Sequence, residues 1–166
     1  MPYHSRTSVP PALFRGLNLF SNCTRAELSR IRSLTTVVEV PQGRVLIEEG
    51  RPGNEFFVIV DGRATISRAG LRLADLESGS SFGELALLET NGYRTATVIA
   101  ETDLTLLVFS RAEFNSLYES APTLGRKMLA EMGGRLRRTT ALLDGEPPSD
   151  SSLGAEGAES VGATRP

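Results

Sequence analysis

From residue 36 to residue 110 the chain consists of short apolar or alternating stretches that follow one another between glycine-containing turns. Val37-Val38-Glu39-Val40, Arg44-Val45-Leu46-Ile47 and Phe56-Phe57-Val58-Ile59-Val60 are the clearest of them. Runs of this length and composition read as strands, here over 37–40, 44–47, 56–60, 63–68, 71–76, 95–100 and 104–109. Seven or eight short strands at this spacing predict a mainly β fold, a jelly-roll sandwich. Gly43, Gly50, Gly53, Gly62, Gly70 and Gly79 stand between the stretches, as turn positions require.

Helical patterning flanks this region on both sides. Over 12–35, Thr24 and Glu27 form a capping-box pair, and Leu28, Ile31 and Leu34 follow at spacings of three, which predicts one amphipathic helix with a short helical approach. After Arg111 a helix is expected over 112–118 and another over 124–143, where Leu124, Met128, Met132 and Leu136 recur every four residues as one apolar stripe. That stripe is read as core or as a homodimer contact. Gly133-Gly134 inside it marks either a bend or a close approach, since each glycine costs about 1 kcal/mol relative to alanine in a helix. Residues 1–11, with three prolines and no hydrophobic period, are expected to form a flexible N-terminus. Residues 144–166, rich in Gly, Ser, Pro, Ala and acid, are expected to be a disordered tail. The folded domain is therefore 12–143.

Composition removes several function classes. With 18 Lys and Arg against 20 Asp and Glu the net charge is -2, so no overall positive field favours nucleic acid or anionic lipid, and any anion site must be local. One cysteine, Cys23, and one histidine, His4, cannot make an internal disulfide, an iron-sulfur cluster or a histidine-rich metal site, so no catalytic or metal-ligating residue is expected. No apolar run approaches the about 18 residues that suggest a membrane span, and the start carries no secretory pattern, which predicts a cytoplasmic protein.

One segment departs from the strand texture: Ser81-Phe82-Gly83-Glu84-Leu85-Ala86-Leu87-Leu88-Glu89, then Arg94-Thr95-Ala96-Thr97-Val98. Gly83 lets the backbone approach a ligand closely, and 84–88 has the composition of one or two helical turns. A short helix within a β-sandwich exposes amides at its start, a favourable setting for an anion. Arg94 adds a fixed positive charge whose fork suits phosphate oxygens. Glu84 would repel a phosphate directly, so a sugar hydroxyl is its natural partner.

The pattern Phe82-Gly83-Glu84-Leu85-Ala86-Leu87-Leu88, a variable turn, then Arg94-Thr95-Ala96-Thr97-Val98 resembles the phosphate-binding cassette of cyclic-nucleotide-binding domains, as found in catabolite activator-type regulators, cyclic-nucleotide-dependent kinases and gated channels. The resemblance extends to 45–50, to 55–62 and to the flanking helices, about 19–143 in all. It implies that Glu84 accepts from the ribose 2′-OH, that Arg94 pairs with the cyclic phosphate, and that amides around Gly83, Leu85 and Ala86 complete the cradle with Thr95. Phe82 and Ala96 flank it, and Leu85 and Leu88 are expected to couple the cassette to the C-terminal helices. Thr95 permits cGMP without excluding cAMP, and cAMP is the first expectation. Leu136 or a neighbour is the expected cap over the base, brought there as the 124–143 helix closes.

Rival classes follow from the same residues. A metal-dependent cupin-type enzyme or a phosphodiesterase needs ligands or a nucleophile-base pair that the chain does not display. Direct DNA binding is not expected, because only the acidic stretch follows residue 143. The expectation is a stand-alone sensor that signals to a protein partner; the alternatives are a degenerate, ligand-independent interaction module and a transcription-related regulator acting through a partner.

Overall fold

The computed structural model describes residues 4–6, 9–90 and 92–143. Two antiparallel sheets form the sandwich. In chain order the strands are β1 (His4–Arg6), β2 (Thr36–Val40), β3 (Val45–Ile47), β4 (Glu55–Asp61), β5 (Ala64–Arg68), β6 (Leu71–Leu76), β7 (Ser81–Phe82), β8 (Thr97–Ala100) and β9 (Leu104–Ser110). The first sheet has the order β1-β2-β9-β4-β7 and the second β3-β8-β5-β6. The helices are α1 (Arg25–Ser33), α2 (Leu85–Leu88), α3 (Arg111–Ser120) and α4 (Pro122–Leu143), with two 3-10 turns at Pro11–Phe14 and Asn18–Phe20 before α1. The jelly-roll architecture with flanking helices is the one expected.

The first sheet is buried on both faces, and this explains why β4 reads as an unbroken apolar run. Successive side chains on a strand point to opposite faces, so a two-sided strand shows no alternation. Phe56 and Val58 of β4, with Leu107 and Phe109 of β9 and Val37 of β2, pack against Ile31, Phe114, Leu117, Leu124 and Met128 of the helices. Phe57 and Ile59, with Val38, Val40 and Leu106, face Ile47, Ala64, Leu76, Val98 and Ala100 across the sandwich. Phe56 is 1% exposed and meets Phe109 and Phe114 ring to ring. Truncating such a ring to alanine costs about 3–5 kcal/mol.

Capping-box geometry starts two of the helices. Thr24 Oγ1 accepts from the Glu27 amide while Glu27 Oε2 accepts from the Thr24 amide, and Ser110 and Glu113 repeat the arrangement at α3. Glu27 does more than close its own box: its Oε1 accepts from the Thr123 amide at the start of α4. One carboxylate thus satisfies amides at two helix starts, and those hydrogen bonds, the one from the Thr24 amide above all, hold its pKa below the ordinary carboxylate value.

The structure differs from the sequence reading at the N-terminus, where His4–Arg6 pairs with β2 in the register His4↔Glu39, Ser5↔Val38, Arg6↔Val37. Backbone pairing at a sheet edge needs no hydrophobic period, so composition does not announce it. α4 runs through Gly133-Gly134 as a continuous helix, and methyls there would come no nearer than 3.5 Å to the tips of Arg137 and Arg138, so no close approach explains the pair. The chain divides into two units, Met1–Leu129 and Ala130–Pro166; the described part of the second is the C-terminal stretch of α4. The tail expected over 144–166 lies outside the described residues. No helix of the described residues is long and apolar enough to cross a membrane.

Candidate ligand site

The site is assembled where β7 ends against β4. Phe82 pairs with Phe57 in the ladder, and the two rings stack at 5.0 Å with planes 12° apart. This fixes the point at which the chain leaves the sheet. Gly83 follows with φ +88°, a left-handed backbone open to glycine at no steric cost. Its turn delivers Glu84 in helical conformation, 5% exposed, at the head of α2. In so short a helix the first amides precede any intrahelical acceptor, and those of Leu85 and Ala86 belong to that group.

Arg94 comes to the same place from the other side. Its backbone is clamped to the loop before β4: Gly50 N–H donates to Arg94 O at 2.8 Å, Arg94 N–H to Arg51 O at 2.8 Å, and Gly53 N–H to Gly92 O at 2.8 Å. The side chain, 5% exposed, then runs across Gly53 toward Gly83. Nη1 donates to Gly83 O at 2.9 Å; Nη2 donates to Glu55 O at 2.9 Å and to Glu55 Oε2 at 3.2 Å. The guanidinium also lies 5.9 Å from the centre of the Phe57 ring, within range of a cation–π contact.

Two glycines make this path possible. A methyl on Gly53 would overlap Cδ, Nε and Cζ of Arg94, and one on Gly83 would stand 2.8 Å from Nη1 and 2.9 Å from Glu55 O. Burial pushes the Arg94 pKa down, while Glu55 and Glu84 push it up and Arg111 lowers it. An arginine stays charged through shifts of this kind, so the site holds a permanent buried cation.

The sequence-predicted residues therefore converge only in part. Phe82, Gly83, Glu84, Ala86 and Arg94 meet at the β7–α2 junction, with Phe82, Glu84, Ala86 and Arg94 buried; Thr95 is exposed and Ala96 half-buried beside it. Leu85 and Leu88 do not form the buried side of α2. They are 38% and 50% exposed, and Leu87 instead joins the cluster of Phe114, Leu117, Leu124 and Met128. A four-residue helix is too short for its apolar period to reveal which face turns inward.

Three contributors escaped the sequence reading. Glu55 pairs with Arg94, and Gly53 leaves its path clear. Arg111, the first residue of α3, donates from Nη1 to Leu87 O at 3.0 Å and from Nη2 to Ala86 O at 2.9 Å and Gly53 O at 3.1 Å. It thereby caps the carbonyl end of α2 and ties it to the loop that carries Gly53. The Ser110-to-Glu113 capping spacing beside it marks the helix start but carries no sign of where Arg111 points. Among the described residues no cluster of three or more His, Cys, Asp or Glu could hold a metal ion. Cys23 is half-buried, its thiol pushed up to about 11, first by burial and then by Glu27, which fits a small packed side chain.

The family model described as the cyclic nucleotide-binding domain matches residues 37–121, half of the chain, from β2 through the end of α3. The chain belongs to that family. Its domain is a regulatory, nucleotide-binding module. A Pycsar effector protein of Xanthomonas perforans, XpPycTIR, is 32% identical over 72% of this chain and 40% of its own length. A cAMP-dependent protein kinase regulatory subunit of Schizosaccharomyces pombe is 32% identical over 83% of this chain and 34% of its own length. The chain thus spans well under half of these curated relatives. Among solved structures, the catabolite activator protein of Thermus thermophilus superposes with a TM-score of 0.67 at 28% identity, covering 76% of this chain and 61% of that one.

Proposed function

We propose that the β7–α2 junction is a receptor for one cyclic nucleotide, cAMP in the first place, with the cyclic phosphate at Arg94 and the amides of Leu85 and Ala86, and the ribose 2′-OH on Glu84. The observation that carries this reading is the burial of one cation and one carboxylate side by side at the head of a short helix, with glycines at 53 and 83 clearing the approach. A cyclic nucleotide presents an anionic phosphate fused to a ribose that keeps its 2′-hydroxyl, so it offers an acceptor to Arg94 and a donor to Glu84 at once. Thr95, exposed beside Arg94, is free to meet a guanine and makes cGMP the second ligand to test. The name of the fission-yeast relative favours cAMP as the starting point.

The output follows from Leu87. A ligand that draws α2 inward moves Leu87 within the cluster it shares with Phe114, Leu117, Leu124 and Met128, and so alters the helical surface offered to a protein partner. Titration calorimetry with cAMP and cGMP tests the receptor reading and ranks the two. Arg94→Ala weakens binding at least tenfold, about 1.5–3 kcal/mol for a charge-assisted hydrogen bond. No heat from either nucleotide at high micromolar concentration, or an unchanged affinity in Arg94→Ala, overturns the assignment.

A further inference from the structure

An acidic side chain already stands against the buried cation. Glu55 Oε2 lies 3.2 Å from Arg94 Nη2, yet the two partners differ sharply in surroundings: the Arg94 side chain is 5% exposed and that of Glu55 44%. Arg94 is held by two backbone carbonyls besides this carboxylate, those of Gly83 and Glu55, both at 2.9 Å. It cannot leave without abandoning them. Glu55 can: rotation of its side chain carries the carboxylate into water, while its carbonyl stays in β4 and keeps its own bond to Nη2.

Charge counting gives the exchange a direction. The charged groups that act most on Arg94 are Glu55 and Glu84, which attract it, and Arg111, which repels it, so two carboxylates already face two cations. A monoanionic phosphate diester entering beside Arg94 makes three anions against two cations. An added negative charge beside this pair repels the carboxylates already there, and release of one of them restores parity. Glu84 is 5% exposed and in no position to leave, which singles out Glu55.

We propose that Glu55 is the resident counter-anion of the phosphate site. It neutralises Arg94 in the absence of ligand and is displaced when the cyclic phosphate binds, so that its attraction for Arg94 is subtracted from ligand affinity. A side chain outside the cassette then sets how much ligand is needed to fill the site. This inference depends on the cyclic-nucleotide reading above and adds to it a residue that opposes binding.

The test compares the full chain with Glu55→Gln, which keeps the shape and removes the charge, by calorimetry with cAMP and cGMP and by thermal melting without ligand. Glu55→Gln binds about three- to tenfold tighter, the range between an exposed pair and a charge-assisted buried bond, and melts at a lower temperature when ligand is absent, because Arg94 has lost its neutraliser. Glu55→Asp, whose shorter arm pairs less well, falls between the two. It also serves as the test variant should Glu55→Gln not fold. Glu48→Gln, which removes an exposed carboxylate paired with Arg51, controls for the general field and changes affinity less than twofold. Equal or weaker affinity in the Glu55 variants overturns the proposal while leaving the receptor reading intact, as does equal tightening by Glu48→Gln. Failure of the unaltered chain and every variant to bind either nucleotide overturns the receptor reading and this proposal together.

Discussion

Gly53→Ala isolates the geometry of Arg94 from its chemistry. Gly53 is not among the residues with left-handed backbone, so alanine there meets no positive-φ penalty; the closest overlap of the new methyl is with Cδ, Nε and Cζ of Arg94. Those atoms lie in the middle of the side chain, and relief requires the whole arm to move off Gly83 O, Glu55 O and Glu55 Oε2. A hydrogen bond to a charged group contributes about 1.5–3 kcal/mol, and three that share one guanidinium are not additive. We therefore expect a loss of about 2–4 kcal/mol in unfolding free energy, with cyclic-nucleotide affinity falling at least tenfold. Urea titration and calorimetry measure the two effects. The decisive comparison is a double-mutant cycle with Arg94→Ala. Once the arm is gone the atoms nearest the methyl are removed, and we expect Gly53→Ala to become neutral or slightly stabilising, by up to about 1 kcal/mol, through the reduced freedom of the unfolded chain. An equal cost in both backgrounds, or unaltered affinity in the single mutant, refutes the claim that Gly53 acts through Arg94.

Two further expectations follow from named contacts. Arg111→Ala frees the carbonyl end of α2, lowers stability by about 1.5–3 kcal/mol and speeds amide exchange at Leu87, Leu88 and Glu89; Arg111→Lys does not restore protection, because a point charge cannot span carbonyls on α2 and at Gly53. Glu27 has a folded-state pKa below its ordinary value of 4.5, so its contribution is fully present above that value and is lost as pH falls through the lowered one; urea midpoints of the unaltered chain decline more steeply below about pH 4.5 than those of Glu27→Gln, which is already weaker by about 1–2 kcal/mol at neutral pH.

What could be read in advance was what is local in sequence. The strands from β2 to β9 declare themselves by short apolar runs between glycines, except β7, whose two residues are too few for any pattern. The Thr24–Glu27 box announces α1 because cap and partner sit three residues apart. The cassette is legible for the same reason: Gly83, Glu84 and Arg94 fall within one continuous stretch. Glu55 and Gly53 are separated from Arg94 by about forty residues, and although 55–62 shares in the family resemblance, nothing about either residue ties it to Arg94. Arg111 was hidden differently, since an arginine at a helix start gives no hint that it faces backward to cap another helix. Leu85 and Leu88, expected to couple the cassette to the helices, yield that place to Leu87 because three leucines on one turn differ only in direction, which the packing of the whole molecule decides.

The double-sided burial of the first sheet has a bearing on how such a domain can diverge. Phe56 and Phe57 are neighbours in β4, yet one lies among the helices and the other stacks on Phe82 at the site. Substitutions at successive positions of that strand are therefore felt in separate compartments. What the molecule recognises and what it displays to the outside can be revised one at a time, on a single strand that keeps its place in the sheet.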